Sequence, residues 1–385
     1  MRFRSYKISG NLQVERQVFS HVSAWMHIER AEQSRYLLAQ DGSAAWRERA
    51  VGTLPAGYVR VSVRCSGVSV GTELETLRRS AGEGNAEPGI LGYQASGVVH
   101  EVGADVSEYE QGTYVACYGG PYVHHARWLD VPRHLIAPFS APVTFEDGAY
   151  CGSGTIALHA FRSTGAGLGE VVVVIGLGML GNLIAQVARA AGCRVFCAET
   201  IDARRDALEK AGIPAYNEMA ALKVRVMRET TNHGADAVII AANACNDELL
   251  GQACHLVRRN GCVAIAGLSD ARIPREALFQ KEARLVVPRA GGPGRYDAQY
   301  EAGGIDYPYD LARWTEHRNL LEFVRLLRIG AISISGLYDV ASVSDAANCY
   351  SRLANGGGTK LGVVFDWRRQ DEMAGGATTL PAIFT

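Results

Sequence analysis

Three glycines between an apolar segment and an amphipathic segment have the spacing of a dinucleotide-binding turn. Residues 176–181 read GLGMLG and directly follow the all-apolar run 171–175. In such a turn the first glycine permits the bend, the second lets the backbone approach a pyrophosphate, and the third lets helix and strand pack closely. The N–H groups and dipole of the following helix would face the phosphates. The predicted phosphate-binding residues are Gly176, Gly178, Met179, Leu180 and Gly181.

An acidic residue follows the next predicted strand, at the place where dinucleotide-binding domains read the adenosine ribose. Glu199 lies 23 positions after Gly176. Its carboxylate can accept hydrogen bonds from the ribose hydroxyls, which favours NAD over NADP. Arg204 and Arg205 follow closely and could instead bind a 2′-phosphate, so NADP stays as the alternative. A glycine-rich turn without a ligand and an ordinary surface carboxylate are the plainer interpretations.

The segments around this turn alternate between strand and helix. Short apolar runs separated by helical patterns predict βαβ units and a doubly wound parallel sheet of the Rossmann type. The predicted strands are 171–175, 194–198, 235–241, 262–266 and 284–287, and the predicted helices are 156–162, 182–191 and 203–211.

The first third of the chain has a different pattern. Residues 58–65, 97–103 and 113–117 predict short strands between glycine turns, which are typical of a small antiparallel barrel. A helix over 320–327 and mixed structure up to residue 365 predict a return to that barrel. The expected division is therefore 1–155, 156–315 and 316–367, followed by a disordered tail, 368–385. Residues 1–50 are hard to assign, and 21–38 could hold a helix or a strand pair.

This arrangement resembles the medium-chain dehydrogenase/reductase superfamily, the relatives of zinc alcohol dehydrogenase, over residues 54–366. The opening strand 54–59, the turn 103–106 and the closing segments 344–347 and 360–364 are similar to the family's motifs. The resemblance implies a GroES-like, partly open β-barrel catalytic domain beside the Rossmann domain. It also implies a homodimer or homotetramer.

The metal-ligand positions of zinc-dependent members are altered in this chain. Aligned on the family's Gly-Thr-acid run, the cysteine position holds Val70, and Tyr93 and Gln94 replace the His-Glu pair. Only Cys151 remains, and one thiolate beside neutral side chains does not hold zinc tightly. The adjacent pair His124-His125 is expected to be a surface loop feature, because neighbouring strand residues face opposite ways. We therefore expect no catalytic zinc.

Two further resemblances bear on the substrate. The run 66–73 is similar to the zinc-free branch that contains bacteriochlorophyllide a dehydrogenase. The segment 292–319, rich in Tyr, Arg and Trp, is similar to dehydrogenases of sugar and polysaccharide pathways. We name residues 292–319 the aromatic segment. It would suit a polyol or a phosphorylated ring, or it could be a connecting loop held by its own aromatic side chains.

The resemblance also suggests catalytic groups. Thr72 stands where zinc enzymes place the hydroxyl that contacts the substrate oxygen, and the phenol of Tyr93 could donate a proton in the same cleft. Glu75 falls where a relay histidine often lies, and Gln94 would support these groups. The alternatives are a turn residue for Thr72 and a core aromatic for Tyr93. His159 is expected to be an interior histidine.

Composition excludes several function classes. Lys plus Arg is 39 and Asp plus Glu is 40, a net charge of -1 that argues against a nucleic-acid or polybasic membrane-surface binder. Nine cysteines without a CxxC pair indicate neither a disulfide framework nor a four-cysteine zinc site. With no targeting segment and no apolar run long enough to span a membrane, a reduced, cytoplasmic protein with a small-molecule substrate is expected.

The sequence thus predicts a zinc-independent NAD(P)-dependent oxidoreductase. The expected reaction is hydride transfer between nicotinamide and an alcohol or ketone on a polyhydroxylated ring, such as a sugar or cyclitol. One alternative is an NADPH-dependent reductase of an activated C=C bond. Another is a nucleotide-binding protein that has lost its chemistry.

Overall fold

Two sheets of different character organise the chain in the computed structural model, which describes residues 33–82, 88–242, 245–357 and 360–368. Residues 1–32 of the first predicted domain and 369–385 of the predicted tail lie outside the described residues. The N-terminal part contains β1 (Gln33–Gln40), β2 (Ser43–Ala50), β3 (Tyr58–Gly67), α1 (Val70–Ser80), β4 (Gly89–Ile90), β5 (Gln94–Val102), β6 (Tyr114–Tyr118), β7 (Trp128–Pro132), β8 (Ile136–Pro138), α2 (Phe145–Gly148) and α3 (Cys151–Thr164).

The middle of the chain forms the parallel sheet. Its elements are β9 (Val171–Ile175), α4 (Met179–Ala190), β10 (Arg194–Ala198), α5 (Asp202–Glu209), β11 (Ala215–Tyr216), α6 (Met219–Glu229), β12 (Ala235–Ile240), α7 (Asp247–Leu256), β13 (Val257–Ile265), α8 (Arg275–Lys281) and β14 (Arg284–Val286). The strand order is β11-β10-β9-β12-β13-β14, which is the doubly wound Rossmann order with its switch point between β9 and β12. All five residues of β9 are buried, as expected for a strand covered on both faces.

The end of the chain returns to the first domain. It contains α9 (Glu316–Arg328), β15 (Tyr338–Ser342), α10 (Ala346–Ala354) and β16 (Gly362–Asp366). β16 pairs with β3 in a seven-stranded sheet of order β15-β16-β3-β5-β6-β8, in which β7 also pairs with β3. The pairs are antiparallel except β15 with β16. The predicted fold class, a GroES-like partly open barrel beside a Rossmann domain, is confirmed.

Residues 21–32 of the uncertain segment 21–38 lie outside the described residues, and residues 33–38 belong to a strand that pairs with the segment after it. β1 and β2 form an antiparallel hairpin closed by Asp41 and Gly42, with φ of 50° and 73°. Positive φ at both central residues and an Asp-Gly sequence are the marks of a type I′ turn. β4 adds to the other edge of β1 in a small three-stranded sheet.

Some predicted boundaries and exposures were wrong. The helix predicted at 156–162 begins five residues earlier, at Cys151. The expected surface pair His124-His125 is buried, because each imidazole hydrogen-bonds inside the barrel domain, to Pro121 O in one case and to Ser66 in the other. Among the described helices, none combines the length and the apolar character that a membrane crossing requires.

Candidate active site

A cavity of about 980 Å³ lies between the two domains and brings most of the predicted site residues together. Its Rossmann wall is the carboxyl end of the parallel sheet, the usual ligand crevice of this architecture. Its barrel wall includes α1 and the residues around the start of β5. The predicted site residues that line it are Thr72, Glu75, Tyr93, Gly176, Gly178, Met179, Leu180, Glu199 and Arg204, whereas Gly181 and Gln94 lie behind the walls.

The three glycines of the turn each meet a different constraint. Gly176 has a φ of +88°, and a Cβ there would lie 2.8 Å from the backbone N of Ala242. A Cβ on Gly181 would lie 1.8 Å from the carbonyl oxygen of Gly176. At Gly178, by contrast, a Cβ would meet no atom of the described residues within 4 Å. The first and third glycines are therefore required by packing, and the second leaves open space toward the cavity.

The N-terminus of α4 is arranged for an anion. Gly178 is its N-cap, and no side chain accepts a hydrogen bond from the first-turn N–H groups. These groups and the helix dipole are available to a ligand at the cavity wall where Gly178 lies. The open space at Gly178 and the uncapped helix fit the pyrophosphate of a dinucleotide.

Glu199 fixes the adenosine end of the cavity. Its Oε2 accepts a hydrogen bond from Leu177 N at 2.8 Å and its Oε1 from Ile201 N at 3.0 Å. Desolvation opposes ionisation, but these N–H groups and the charge of Arg204, 3.4 Å away, lower the pKa of Glu199 below its usual range. The carboxylate thus ties the glycine-rich turn to the end of β10. Each oxygen keeps acceptor capacity for a ribose hydroxyl.

A chain of hydroxyl groups runs through the barrel side of the cavity. The phenol of Tyr93 donates to Ser69 Oγ at 2.9 Å, and the Ser69 hydroxyl donates to Thr72 Oγ1 at 3.2 Å. Thr72 is exposed on the first turn of α1, so the chain leads toward solvent. Desolvation raises the pKa of Tyr93, which keeps the phenol protonated at neutral pH. The arrangement can pass a proton between the cavity and water.

Ser69 was missed by the sequence analysis. It is the N-cap of α1, a position where Ser ordinarily bonds to the helix backbone. Here its hydroxyl bonds to Thr72 instead, and its own N–H donates to Glu73 Oε1 at 2.7 Å. A Ser three residues before Thr72, at the start of a helix, is the signal that could have drawn attention to it.

Glu75 and Gln94 make their hydrogen bonds and ion pairs outside the hydroxyl chain. Glu75 is paired with Arg78 at 2.6 Å and with Arg79 at 2.9 Å. The pKa of Glu75 is lowered, mainly by the hydrogen bond from Arg79. Glu75 therefore stays an anion and holds Arg79 at the cavity wall. Gln94 is fully buried, and its Oε1 accepts from Ser153 N at 2.7 Å and Ser153 Oγ at 3.0 Å. It hydrogen-bonds to Ser153, which lines the cavity, and lies behind that wall itself.

The residues at the family's metal positions do not fit a zinc ion. Val70 offers no lone pair, and the amide of Gln94 is committed to Ser153. Cys151 is the one sulfur ligand at these positions, and a catalytic zinc needs about three protein ligands. The described residues contain no group of three or more His, Cys, Asp or Glu side chains that could hold a metal.

A buried network supports the start of α1. Glu73 Oε2 lies 2.9 Å from His125 Nε2, and His125 Nδ1 lies 2.7 Å from Ser66 Oγ. The indole of Trp367 donates to Ser66 Oγ at 2.8 Å, and the hydroxyl of Tyr350 donates to Glu73. Glu73 also accepts a hydrogen bond from Ser69 N, so this network connects the hydroxyl chain to four separate parts of the sequence.

The aromatic segment reaches the substrate end of the cavity. Arg295 and Tyr296 line it, together with Tyr118 of β6. The Arg295 guanidinium is buried, forms an ion pair with Glu301, and donates to Gly120 O at 2.6 Å. The segment is therefore fastened to the barrel domain. His159, by contrast, is only half-buried, and desolvation lowers its pKa, so it is neutral at pH 7.

Comparisons with known proteins identify both domains. Residues 55–174 match the alcohol dehydrogenase GroES-like domain, and residues 180–301 match the domain described as zinc-binding dehydrogenase. The second match does not include Val70, Tyr93, Gln94 or Cys151.

One curated relative is the 2-dehydro-3-deoxy-L-galactonate 5-dehydrogenase of Pseudoalteromonas atlantica. It is 24% identical over 338 residues, which is 80% of this chain and 90% of that protein.

Solved structures share the fold. Galactitol-1-phosphate dehydrogenase from Escherichia coli superposes with a TM-score of 0.70 and 18% identity over 86% of this chain and 99% of that one. A second structure is described as a short chain alcohol dehydrogenase from Escherichia coli CFT073, complexed with NADH. It superposes with a TM-score of 0.70 and 18% identity, over 87% of this chain and 99% of that one. The two family matches together span more than half of the chain, which therefore belongs to the medium-chain dehydrogenase/reductase superfamily, the zinc alcohol dehydrogenase-like oxidoreductases, and is an NAD(P)-dependent enzyme of that class.

Proposed function

We propose that this protein is a zinc-independent NAD(P)-dependent oxidoreductase that interconverts an alcohol and a ketone on a polyhydroxylated ring. The observation that carries the proposal is the hydroxyl chain Tyr93–Ser69–Thr72, which lies on the cavity wall where zinc-dependent members place a metal ligand. The proposal places the chain in the zinc-free branch that the run 66–73 resembles.

In the reducing direction Tyr93 acts as the general acid. A bound nicotinamide cofactor supplies or accepts the hydride. As negative charge develops on the carbonyl oxygen, the protonated phenol of Tyr93 donates its hydrogen to that oxygen. Ser69 then returns a proton to Tyr93, and Thr72 returns one to Ser69 from solvent. Hydroxyl hydrogens rotate, so the same chain removes the alcohol proton when the reaction runs in the oxidising direction.

The remaining residues bind and orient. Gly178 and the N-terminus of α4 would hold the pyrophosphate, and Met179 and Leu180 line the adjoining wall. Glu199 would accept hydrogen bonds from the adenosine ribose, which makes NAD the preferred cofactor. A 2′-phosphate would meet this carboxylate and be repelled, although Arg204 is close enough to offset part of that repulsion.

The substrate class rests on the lining of the cavity and on the relatives. Tyr118, Tyr296 and Arg295 at the substrate end combine aromatic faces with hydrogen-bond donors. A curated relative acts on a sugar acid, and a structural neighbour acts on a sugar-alcohol phosphate, as their names state. These features favour a hydroxylated ring over a simple aliphatic alcohol.

Substitution of Tyr93 by Phe tests the mechanism. We expect Tyr93→Phe to lower kcat by roughly 100-fold or more, the usual worth of a general acid, while the Kd for NADH stays unchanged. Tyr114→Phe is the matched control, because Tyr114 lies on β6 of the same domain, packs against Phe139 and Phe145, and does not line the cavity. A normal kcat for Tyr93→Phe would refute the acid role.

Two assays test the reaction type and the metal. Cyclohexanone and 2-cyclohexenone are compared with NADH and with NADPH, and turnover of the enone alone would replace the ketone proposal with C=C reduction. Binding of NADH without turnover of any substrate would favour a non-catalytic nucleotide-binding protein. Metal analysis of the purified protein should find no stoichiometric zinc, and one zinc per chain would overturn the mechanism.

A further inference from the structure

A second cavity of about 800 Å³ adjoins the substrate end of the first, and the two share Pro288, Arg295 and Tyr296 in their walls. We name it the vestibule. Its volume falls within the range of about 300–1,000 Å³ that is usual for small-molecule sites. The dinucleotide and the reacting carbon belong in the first cavity, so the vestibule is additional space.

Tyr296 forms the partition between the two cavities and is held there in an unusual conformation. Its φ is +65°, a region that bulky residues rarely adopt. Its N–H donates to Glu301 Oε1 at 2.9 Å, and its ring has Arg295 Cζ at 3.9 Å and Arg289 Cζ at 4.9 Å. The side chain nevertheless remains 53% exposed. The structure thus places a phenol at the boundary and leaves it accessible.

This partition is fixed to the body of the protein. Arg295 and Glu301 are both buried, and their ion pair is supported by the bond from Arg295 to Gly120 O. The Nδ1 atom of His134 also lies 2.9 Å from the carbonyl oxygen of Tyr300. Because the aromatic segment is fastened to the barrel domain at two points, the vestibule wall is preorganised.

The polar groups of the vestibule are balanced in charge. The Tyr307 hydroxyl donates to Asp297 Oδ2 at 2.5 Å, and this bond lowers the pKa of Asp297, which is therefore an anion. Arg289 contributes a cation, and His159 is neutral at pH 7. The charge of Arg295 is offset by Glu301. A phosphate or carboxylate would face the anion of Asp297, whereas a hydroxyl can donate to Asp297 and accept from Arg289.

We propose that the vestibule binds an uncharged, hydroxyl-rich extension of the substrate, such as a glycosyl or polyol substituent, while the reacting carbon lies at Tyr93. The inference rests on the proposed function and narrows it, because it makes the substrate larger than a single ring. Of the two substrates considered for the aromatic segment, a polyol and a phosphorylated ring, the proposal favours the uncharged polyol.

The test compares the binding of two probes to the NADH-saturated protein by calorimetry. The probes are myo-inositol and its galactosyl derivative galactinol. We expect galactinol to bind about fivefold tighter or more, as one or two net hydrogen bonds would give. Tyr296→Asn, which tolerates the same backbone conformation, and Asp297→Ala should each bring the ratio of the two affinities close to one.

The control is Tyr309→Asn. Tyr309 lies in the same segment, is 54% exposed, and has Arg313 Cζ and Arg318 Cζ at 4.7 and 5.1 Å from its ring, but it lines neither cavity. Its substitution should leave the ratio as in the wild type. Equal affinity for the two probes, affinity for neither, or a ratio unchanged in Tyr296→Asn and Asp297→Ala would overturn the proposal. If the wild type binds galactinol more tightly than myo-inositol but oxidises no alcohol, the proposed function is refuted and the vestibule proposal stands.

Discussion

Substitution of Glu316 by Gln is expected to stabilise the protein, and the gain is expected to grow with pH. Glu316 begins α9 and is fully buried beside Glu301. Desolvation and the negative charge of Glu301 raise its pKa to about 9, although the charge of Arg295 acts in the opposite direction. The side chain is therefore a neutral carboxylic acid at pH 7.

The magnitude follows from proton linkage. The unfolded chain releases this proton near pH ~4.3, whereas the folded protein keeps it up to about pH 9. Between these values the folded state binds one more proton than the unfolded state, so the free energy of unfolding falls as pH rises, by about 1.4 kcal/mol per pH unit. From pH 5 to pH 8 the loss from this group is about 4 kcal/mol. Gln cannot ionise, and Glu316→Gln removes this loss.

The assay is denaturant unfolding of both proteins at pH 5, 6, 7 and 8. Glu322→Gln on the same helix is the control, because the hydrogen bond from Arg325 lowers the pKa of Glu322. The Glu322 carboxylate makes its full contribution to the free energy of unfolding above pH 5 and loses it only as pH falls through the folded pKa. The change in that free energy caused by Glu322→Gln should therefore be constant from pH 5 to 8. If the stability of Glu316→Gln and of the wild type fell in parallel over this range, the assignment of a buried neutral acid would be wrong.

Two more substitutions test the cofactor site. Gly178→Val should weaken NADH binding at least about tenfold, because the side chain would block the approach of the pyrophosphate. The Tm should stay unchanged, because the new Cβ meets no atom of the described residues within 4 Å. Retained NADH affinity in a titration would show that the pyrophosphate does not bind at this turn. Gly181→Ala should instead lower the Tm, since its Cβ would overlap the carbonyl of Gly176. Glu199→Ser should shift the ratio of kcat/KM toward NADPH, because Arg204 loses its carboxylate partner; an unchanged ratio would show that Glu199 does not select the cofactor.

The dinucleotide turn could be predicted because its determinants are local. Residues 171–181 contain the strand, the three glycines and the start of the helix within one short stretch, and β9 and β10 have the predicted bounds. Glu199 could be predicted for the same reason, since it directly follows β10. The hairpin β1–β2 was equally local, and its Asp41-Gly42 signal lay in a region that the sequence analysis left unassigned.

The proton relay and its supports could not be predicted in the same way, because they join distant parts of the chain. Tyr93 and Ser69 are 24 residues apart, and Tyr350 contacts Glu73 across 277 residues. The pair His124-His125 was expected at the surface because neighbouring strand residues face opposite ways, yet Glu73 and Ser66 contact both ring nitrogens of His125 inside the barrel. Such partners become visible only once the strands are assembled.

Restoring one metal ligand would not rebuild a zinc site in this chain. Tyr93→His would supply an imidazole, but the amide of Gln94 would still bind Ser153, and Val70 would still offer no donor. The new imidazole and the Cys151 thiol would make two ligands at most. A catalytic zinc needs about three protein ligands, and each missing one would leave part of the ion's desolvation cost uncompensated. The same substitution would remove the phenol that begins the hydroxyl chain to Ser69 and Thr72. In the proposed mechanism the positions that differ from the zinc enzymes are therefore interdependent, because the phenol that begins the hydroxyl chain stands where a metal-binding imidazole would be needed.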